Sequence, residues 1–108
     1  MNQGKLVRDK IPQIIRETGR NPVYRIADPK EYRHLLREKL IEEVKEFLAS
    51  NDPDELADIL EVVLALARDL GVDADDLEDR RRLKARERGG FDGRIVWHGN
   101  QPESPAID

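Results

Sequence analysis

An apolar segment, residues 59–67, constrains the fold more than any other feature of this sequence. The segment is ILEVVLALA and contains one charged residue, Glu61, whereas 39% of the 108-residue chain is charged. It lies in a helical pattern that begins at Pro53, and a helix that is apolar on nearly all sides must be covered from several directions. One short chain supplies few covering helices. We therefore expect this helix to be central and to be covered partly by a second copy of the chain; a compact monomeric bundle is the alternative.

The surrounding pattern predicts an all-α fold, an antiparallel helical bundle completed by oligomerisation. Proline is tolerated in the first turn of a helix and glycine just after its end, and these residues delimit the predicted helices. Asp9 and Asp52 are expected N-caps, and Gly71 is the expected residue just after a helix end. The predicted helices span residues 9–18, 30–49, 53–70 and 74–88.

Two short segments have the composition of β-strands. Residues 23–26 are VYRI and residues 94–97 are RIVW, and both are rich in β-branched and aromatic side chains, which favour strands. We expect these segments to form two short peripheral strands that pair with each other. Residues 1–98 then form one domain, and residues 99–108 are expected to be a disordered tail.

Composition excludes several classes of function. The chain has no cysteine and two histidines, which argues against disulfide scaffolds, thiolate metal sites and thiol nucleophiles. No apolar run approaches the roughly 18 residues that a membrane span needs, and no signal peptide is visible. The net charge of -4 disfavours binding to a nucleic-acid polymer. We expect a cytoplasmic protein that does not contact a membrane.

Four carboxylates are placed symmetrically on the two arms of a predicted helical hairpin. Glu43 and Glu46 lie three residues apart on the first arm, and Glu55 and Asp58 lie three apart on the second, so each pair shares one helix face. The turn is centred between residues 50 and 51, which places Glu46 opposite Glu55 and Glu43 opposite Asp58. With helix axes about 8–10 Å apart, these side chains can converge.

The setting of these carboxylates favours a bound cation. Glu43 falls within the apolar stripe of its helix, and Asp58 is flanked by Ala57 and Ile59. Carboxylates crowded beside a core repel one another and lose hydration, and a divalent cation relieves both effects at neutral pH. Oxygen ligands favour Mg²⁺, Mn²⁺ or Ca²⁺ over softer metals. The alternative is an exposed helix face whose acids form ordinary ion pairs.

Positive charge is concentrated in a separate part of the chain. Residues 80–94 contain seven basic residues and two acidic ones, whereas residues 42–61 contain eight acidic residues and one basic one. A ligand that contacts both regions would be a polyanion bound to metal, such as a magnesium nucleoside triphosphate. Lys84 and Arg88 share a helix face and are candidate phosphate ligands; the alternative is that they cover an acidic neighbouring surface. Near the N-terminus, Arg8 and Lys10 are further candidates for binding the substrate.

These motifs, taken in order, resemble the MazG-like all-α nucleotide pyrophosphohydrolases. The sequence EEVKE at residues 42–46, followed by ELAD at residues 55–58, resembles the EExxE…ExxD motif of that family, and KARER at residues 84–88 resembles its KxxxR element. The segments KLVRDKIPQII, ELADILEVVLAL and RGGFDGRIV are similar to a short subgroup described as phosphoribosyl-ATP pyrophosphohydrolase-like. The resemblance covers about residues 4–97. One departure is the gap of eight residues between Glu46 and Glu55, which is wider in the longer members of the superfamily.

The resemblance implies a function as well as a fold. It implies a homodimer or homotetramer that uses Mg²⁺, with Mn²⁺ as a possible substitute, to cleave a nucleoside triphosphate or a related nucleotide between the α and β phosphates. Lys84 and Arg88 would face phosphate groups. The implied metal ligands are Glu43, Glu46, Glu55 and Asp58, and the implied catalytic residues are Glu42, Glu43 and Glu46, with Glu42 orienting or deprotonating water.

A different class of function also fits the sequence. A non-catalytic acidic helical oligomer that binds a protein partner would explain the charged faces and the apolar central helix. A family member that binds nucleotides without cleaving them is a further alternative. Neither the base nor the sugar of the substrate follows from the sequence.

Overall fold

The computed structural model describes residues 4–102 and is all-helical over that range, as the sequence predicts. Proline stands at the first or second position of three of its helices, where the absence of a backbone N–H costs nothing. The helices are α1 (Ile11–Glu17), α2 (Pro29–Ser50), α3 (Pro53–Asp69) and α4 (Ala74–Arg88).

Aspartates cap the three long helices at their N-termini. The side chain of Asp28 accepts a hydrogen bond from the backbone N–H of Glu31 at 2.9 Å, and Asp73 caps α4 in the same way. The predicted cap Asp52 is confirmed, since it accepts from the N–H of Asp54 at 3.0 Å. The predicted cap Asp9 is wrong, because α1 begins after Lys10 with no side-chain cap.

The predicted carboxylates lie on the antiparallel hairpin of α2 and α3. Asn51 makes the turn in the left-handed conformation, with φ 57° and ψ 22°, and its N–H donates to the carbonyl of Phe47 at 2.8 Å. Asparagine adopts this conformation more readily than most residues. Two residues, Asn51 and Asp52, therefore separate the helices, and α2 and α3 pack closely against each other.

Glycine ends α3 as the sequence predicts. Gly71 has φ +81°, its N–H donates to the carbonyl of Arg68 at 2.9 Å, and the N–H of Val72 donates to that of Ala67 at 2.8 Å. This pair of bonds is the Schellman motif, which requires a left-handed residue at that position. The motif reverses the chain toward α4, which packs against α3 over a shorter stretch.

The core of one protomer is thin. Leu36, Val62 and Ala67 are the buried apolar residues of the described range. Large apolar side chains of the hairpin stay exposed, among them Leu48 and Leu60. The molecule is elongated, measuring 82 × 32 × 29 Å, so one chain leaves much of the apolar surface of its central helices uncovered.

The two predicted β-strands are wrong, because neither residues 23–26 nor residues 94–97 form a strand. No backbone hydrogen bond joins these two segments anywhere in residues 4–102. Val23 and Ile95 are almost completely exposed. A two-stranded ribbon is marginal without a surface to pack on, and β propensity alone does not supply one.

Residues 99–102, the described part of the predicted disordered tail, have no regular secondary structure. The rest of that predicted tail, residues 103–108, lies outside the described residues. Within residues 4–102 no helix is both long enough and apolar enough to cross a lipid bilayer.

Candidate functional site

The hairpin brings the predicted carboxylates together around Glu43. Oxygens of Glu42, Glu43 and Glu46 lie within 4.8 Å of one another, and so do oxygens of Glu43, Glu55 and Asp58. Glu43 belongs to both groups and is therefore the centre of the cluster. The helical spacing of three residues and the short turn at Asn51 together produce this arrangement, as the sequence analysis expected.

Glu43 is the buried member of the cluster. It is 6% exposed, and its Oε2 atom is buried with no hydrogen-bond partner. Its other oxygen, Oε1, lies 3.2 Å from the ammonium of Lys39. A buried carboxylate oxygen without a partner costs free energy. A cation held among these carboxylates would supply the missing partner.

Lys39 is a site residue that the sequence analysis missed. Its ammonium lies 3.2 Å from Glu43 and 3.6 Å from Glu42, and its side chain is 19% exposed. The sequence could have predicted this contact. Lys39 precedes Glu42 by three residues and Glu43 by four, and residues at these spacings share one face of a helix. Lys39 supplies one positive charge to a cluster that contains several negative ones.

Repulsion and burial together raise the pKa of two outer carboxylates, Glu46 and Glu55. The charge of Glu43 is the main cause that raises the pKa of Glu46 above its usual 4.5, and burial adds to the effect. Burial is the main cause that raises the pKa of Glu55 above 4.5, followed by the charge of Glu46. Ionising Glu46 and Glu55 is therefore less favourable than ionising a free carboxyl group, and a nearby positive charge would offset this cost.

The N-terminal segment, residues 5–10, crosses the acidic cluster. The guanidinium of Arg8 donates to Asp58 Oδ1 at 2.6 Å, and Lys5 Nζ lies 3.7 Å from Glu42 Oε1. One contact is to α3 and the other is to α2. Sequence analysis identified Arg8 as a candidate for binding substrate; its contact with a predicted metal ligand is a finding of the structure.

A cleft of about 820 Å³ separates the N-terminal segment and α1 from the hairpin. Glu43 and Asp58 lie in its wall beside apolar side chains such as Leu36 and Val62. Its basic residues include the predicted ligands Arg8 and Lys10 together with Lys5, Lys39 and Arg68; Glu61 is a further acid in its lining. The cleft therefore combines oxygen ligands, positive charge and an apolar wall.

The other predicted phosphate ligands lie elsewhere on the protomer. Lys84 and Arg88 are exposed on α4 and do not line the cleft. No ion pair involves either residue within the described range. The cleft therefore brings Arg8 and Lys10 together with Glu43 and Asp58. The other predicted site residues do not line it, namely Glu42, Glu46, Glu55, Lys84 and Arg88.

Comparison with known proteins yields one informative similarity. A stretch of 50 residues is 48% identical to an uncharacterized protein of Mycolicibacterium smegmatis (strain ATCC 700084 / mc(2)155), covering 46% of this chain and 51% of that protein. The chain thus spans about half the length of the curated relative it matches. No family model and no solved structure matches the chain. The matched protein is uncharacterized, so this similarity assigns no function to the chain.

Proposed function

We propose that this protein is a Mg²⁺-dependent nucleotide pyrophosphohydrolase, which cleaves a nucleoside triphosphate or a related nucleotide to a monophosphate and pyrophosphate. The observation that supports this most strongly is the buried, unpartnered Oε2 of Glu43 among carboxylates of two helices. An acidic cluster alone is common on protein surfaces. A buried carboxylate oxygen without a donor distinguishes this cluster from such surfaces, because a bound cation would supply the missing partner.

The donor set fits a hard divalent cation. Glu43, Glu46, Glu55 and Asp58 offer carboxylate oxygens from both arms of the hairpin, and oxygen is the ligand that Mg²⁺ and Mn²⁺ prefer. When bound, the cation would polarise a phosphoryl oxygen, neutralise phosphate charge and acidify a coordinated water. The resemblance of residues 42–46, 55–58 and 84–88 to the MazG-like family supports the same assignment.

Residues of the chain itself would orient the reactants. Glu42 is one-third exposed at the edge of the cluster and would orient an attacking water or accept a proton from it. Arg8 and Lys10 line the cleft and would bind phosphate oxygens. Lys84 and Arg88 would add positive charge from α4, where no acid of residues 4–102 pairs with them.

A second copy of the chain belongs to the same proposal. Leu48, Leu56 and Leu60 are each about half or more exposed on the hairpin, and burying such side chains is favourable. A homodimer or homotetramer would cover them and would allow α4 of one copy to approach the cleft of another.

We also propose that the protein acts in the cytoplasm on free nucleotides, not on a nucleic-acid polymer.

The experiment that tests the activity uses the purified full chain with Mg²⁺ and a panel of canonical and modified nucleoside triphosphates. Monophosphate and pyrophosphate are quantified directly, with Mn²⁺ as an alternative cation and EDTA as the blank. We expect equal amounts of the two products and no turnover in EDTA. Orthophosphate as the first product would contradict cleavage between the α and β phosphates.

Glu43→Gln tests the central carboxylate. We expect this isosteric variant to lose turnover and to bind Mg²⁺ at least about tenfold more weakly, because it removes a charged ligand, while helix content stays unchanged. Glu38→Gln is the matched control, since Glu38 lies on the same helix, is exposed and pairs with His34 outside the cluster. Calorimetry and circular dichroism measure both variants. Unchanged Mg²⁺ affinity in Glu43→Gln would remove Glu43 from the site.

The alternative function is a non-catalytic acidic helical oligomer that binds a protein partner or a nucleotide. The exposed apolar side chains of the hairpin favour it, because they suit a protein interface as well as self-association. Calorimetric titration with Mg²⁺ distinguishes the two, since an interaction module should show no saturable cation site. A protein that binds Mg²⁺ and nucleotide without forming pyrophosphate would be a binding module.

A further inference from the structure

One predicted cation ligand, Asp58, already has a cationic partner. Arg8 Nη2 lies 2.6 Å from Asp58 Oδ1, and the side chains are 55% and 39% exposed. A Mg²⁺ ligand oxygen lies about 2.1 Å from its ion. A guanidinium and a divalent ion on the same carboxylate repel each other, even when each contacts a different oxygen. Arg8 and a bound cation therefore compete for Asp58.

The segment that bears Arg8 is placed so that it can move. α1 packs closely against none of the other helices of the described range, and the cleft of about 820 Å³ lies between it and the hairpin. Ion pairs of Lys5 with α2 and of Arg8 with α3 tie the segment to the hairpin. Ion pairs between partly exposed side chains are weak, and exchange at Asp58 removes the ion pair that joins the segment to α3.

We propose that Arg8 is a positioning residue for the cation site, which holds the Asp58 carboxylate in the empty site and yields it when the cation binds. When Arg8 leaves Asp58, the N-terminal segment, residues 5–10, is released from α3. The exchange also frees the guanidinium beside the cleft. This inference rests on the proposed function, because it requires a cation at Asp58.

Calorimetry of the full-length protein tests the competition. We expect Arg8→Gln to bind Mg²⁺ about two- to fivefold more tightly than the wild type, since it removes a partly exposed competitor. Arg8→Lys retains the charge and should restore the wild-type affinity. Arg20→Gln is the control for net charge, because Arg20 is exposed and forms no ion pair within residues 4–102.

A spin label tests the release of the segment itself. The chain contains no cysteine, so Val7→Cys accepts a single nitroxide, and Mg²⁺ is diamagnetic. We expect saturation with Mg²⁺ to increase the mobility of the label in a protein that is otherwise wild type. With Arg8→Gln added, the label should be mobile from the start and insensitive to Mg²⁺. The labelled protein must first bind Mg²⁺ with the affinity of the unlabelled chain.

The outcomes separate this inference from the proposed function. Saturable binding of Mg²⁺ with an unchanged label overturns the exchange at Arg8 and leaves the cation site standing. Equal tightening in Arg8→Gln and Arg20→Gln overturns it too, because a general charge effect would then explain the affinity. Absence of any saturable Mg²⁺ binding overturns both the exchange and the proposed function.

Discussion

Glu46 provides a residue-scale test of crowding in the acidic cluster. Its pKa is raised above 4.5, mainly by the charge of Glu43. A carboxyl group with a raised pKa in the folded state contributes stability that is fully present below the unfolded pKa and is lost as pH rises through the folded value. In EDTA, we therefore expect Glu46→Gln to increase the free energy of unfolding at pH 7 and to change it little near pH 4. Urea unfolding at both values measures the difference.

Mg²⁺ should reverse the effect of Glu46→Gln on the free energy of unfolding. A ligand that binds only the folded chain stabilises it, and Glu46→Gln removes one of the proposed ligands. With saturating Mg²⁺ at pH 7, the wild type should gain more stability than the variant. A variant that is less stable than the wild type in EDTA at pH 7 would show that Glu46 is not repelled by its neighbours.

Glu78 on α4 has the opposite electrostatic environment. Hydrogen bonds and charge from Arg81, followed by one hydrogen bond from Arg82, lower its pKa to about 2. A lowered pKa contributes stability that is present above the unfolded value of 4.5 and is lost as pH falls through about 2. We expect Glu78→Gln to lower stability slightly at pH 7, by the same amount at pH 5, and not at all near pH 2. Thermal unfolding across that pH range, followed by circular dichroism, measures this dependence. If the ion pairs were absent, the effect of Glu78→Gln on stability would not depend on pH in this way.

Some contacts of the acidic cluster could be predicted from the sequence, and others could not. The convergence of Glu43 with Asp58 was predictable because it depends on helical spacing and one short turn, which are local properties. Lys39 follows from the same spacing. The contact of Arg8 with Asp58 joins residues 50 positions apart, and no local pattern encodes how an N-terminal segment crosses a hairpin.

At the scale of elements, helix ends were predicted better than strands. Pro29, Pro53 and Gly71 act through the conformation of their own backbone, so the helices that they delimit agree with the structure. A strand requires a partner for its backbone groups. Residues 23–26 and 94–97 have the composition of strands and form none, because pairing requires a partner strand and a packing surface, which composition does not describe.

Asn51 is the residue on which the hairpin turn depends. It has φ 57°, a conformation that costs most L-residues about 1–2 kcal/mol. We expect Asn51→Ala to destabilise the protein by about 1 kcal/mol, whereas Asn51→Gly should remain close to the wild type because glycine adopts this conformation readily. Urea unfolding compares the two variants. Equal losses in both would mean that the side chain of Asn51, not its backbone conformation, stabilises the turn.

At the scale of the whole molecule, the dimensions of one protomer favour assembly. Its radius of gyration is 20.8 Å, whereas a compact domain of this length has a radius of about 13 Å. An elongated shape with a thin core buries little apolar surface per residue, which small folds commonly compensate by oligomerisation. The sequence led to the expectation of an oligomer through its apolar segment, residues 59–67.

Leu60 tests whether a second copy covers the hairpin. It lies on α3 and is 57% exposed in one protomer, so a charge there would cost little in a monomer and much in a buried interface. We expect the wild type to sediment as a multiple of 12.5 kDa and Leu60→Glu to sediment as a single chain with reduced helix content, because the thin core then lacks its cover. Leu60→Met preserves the apolar surface and should assemble like the wild type. Sedimentation velocity and circular dichroism measure both properties, and a monomeric wild type that unfolds cooperatively would contradict the oligomer.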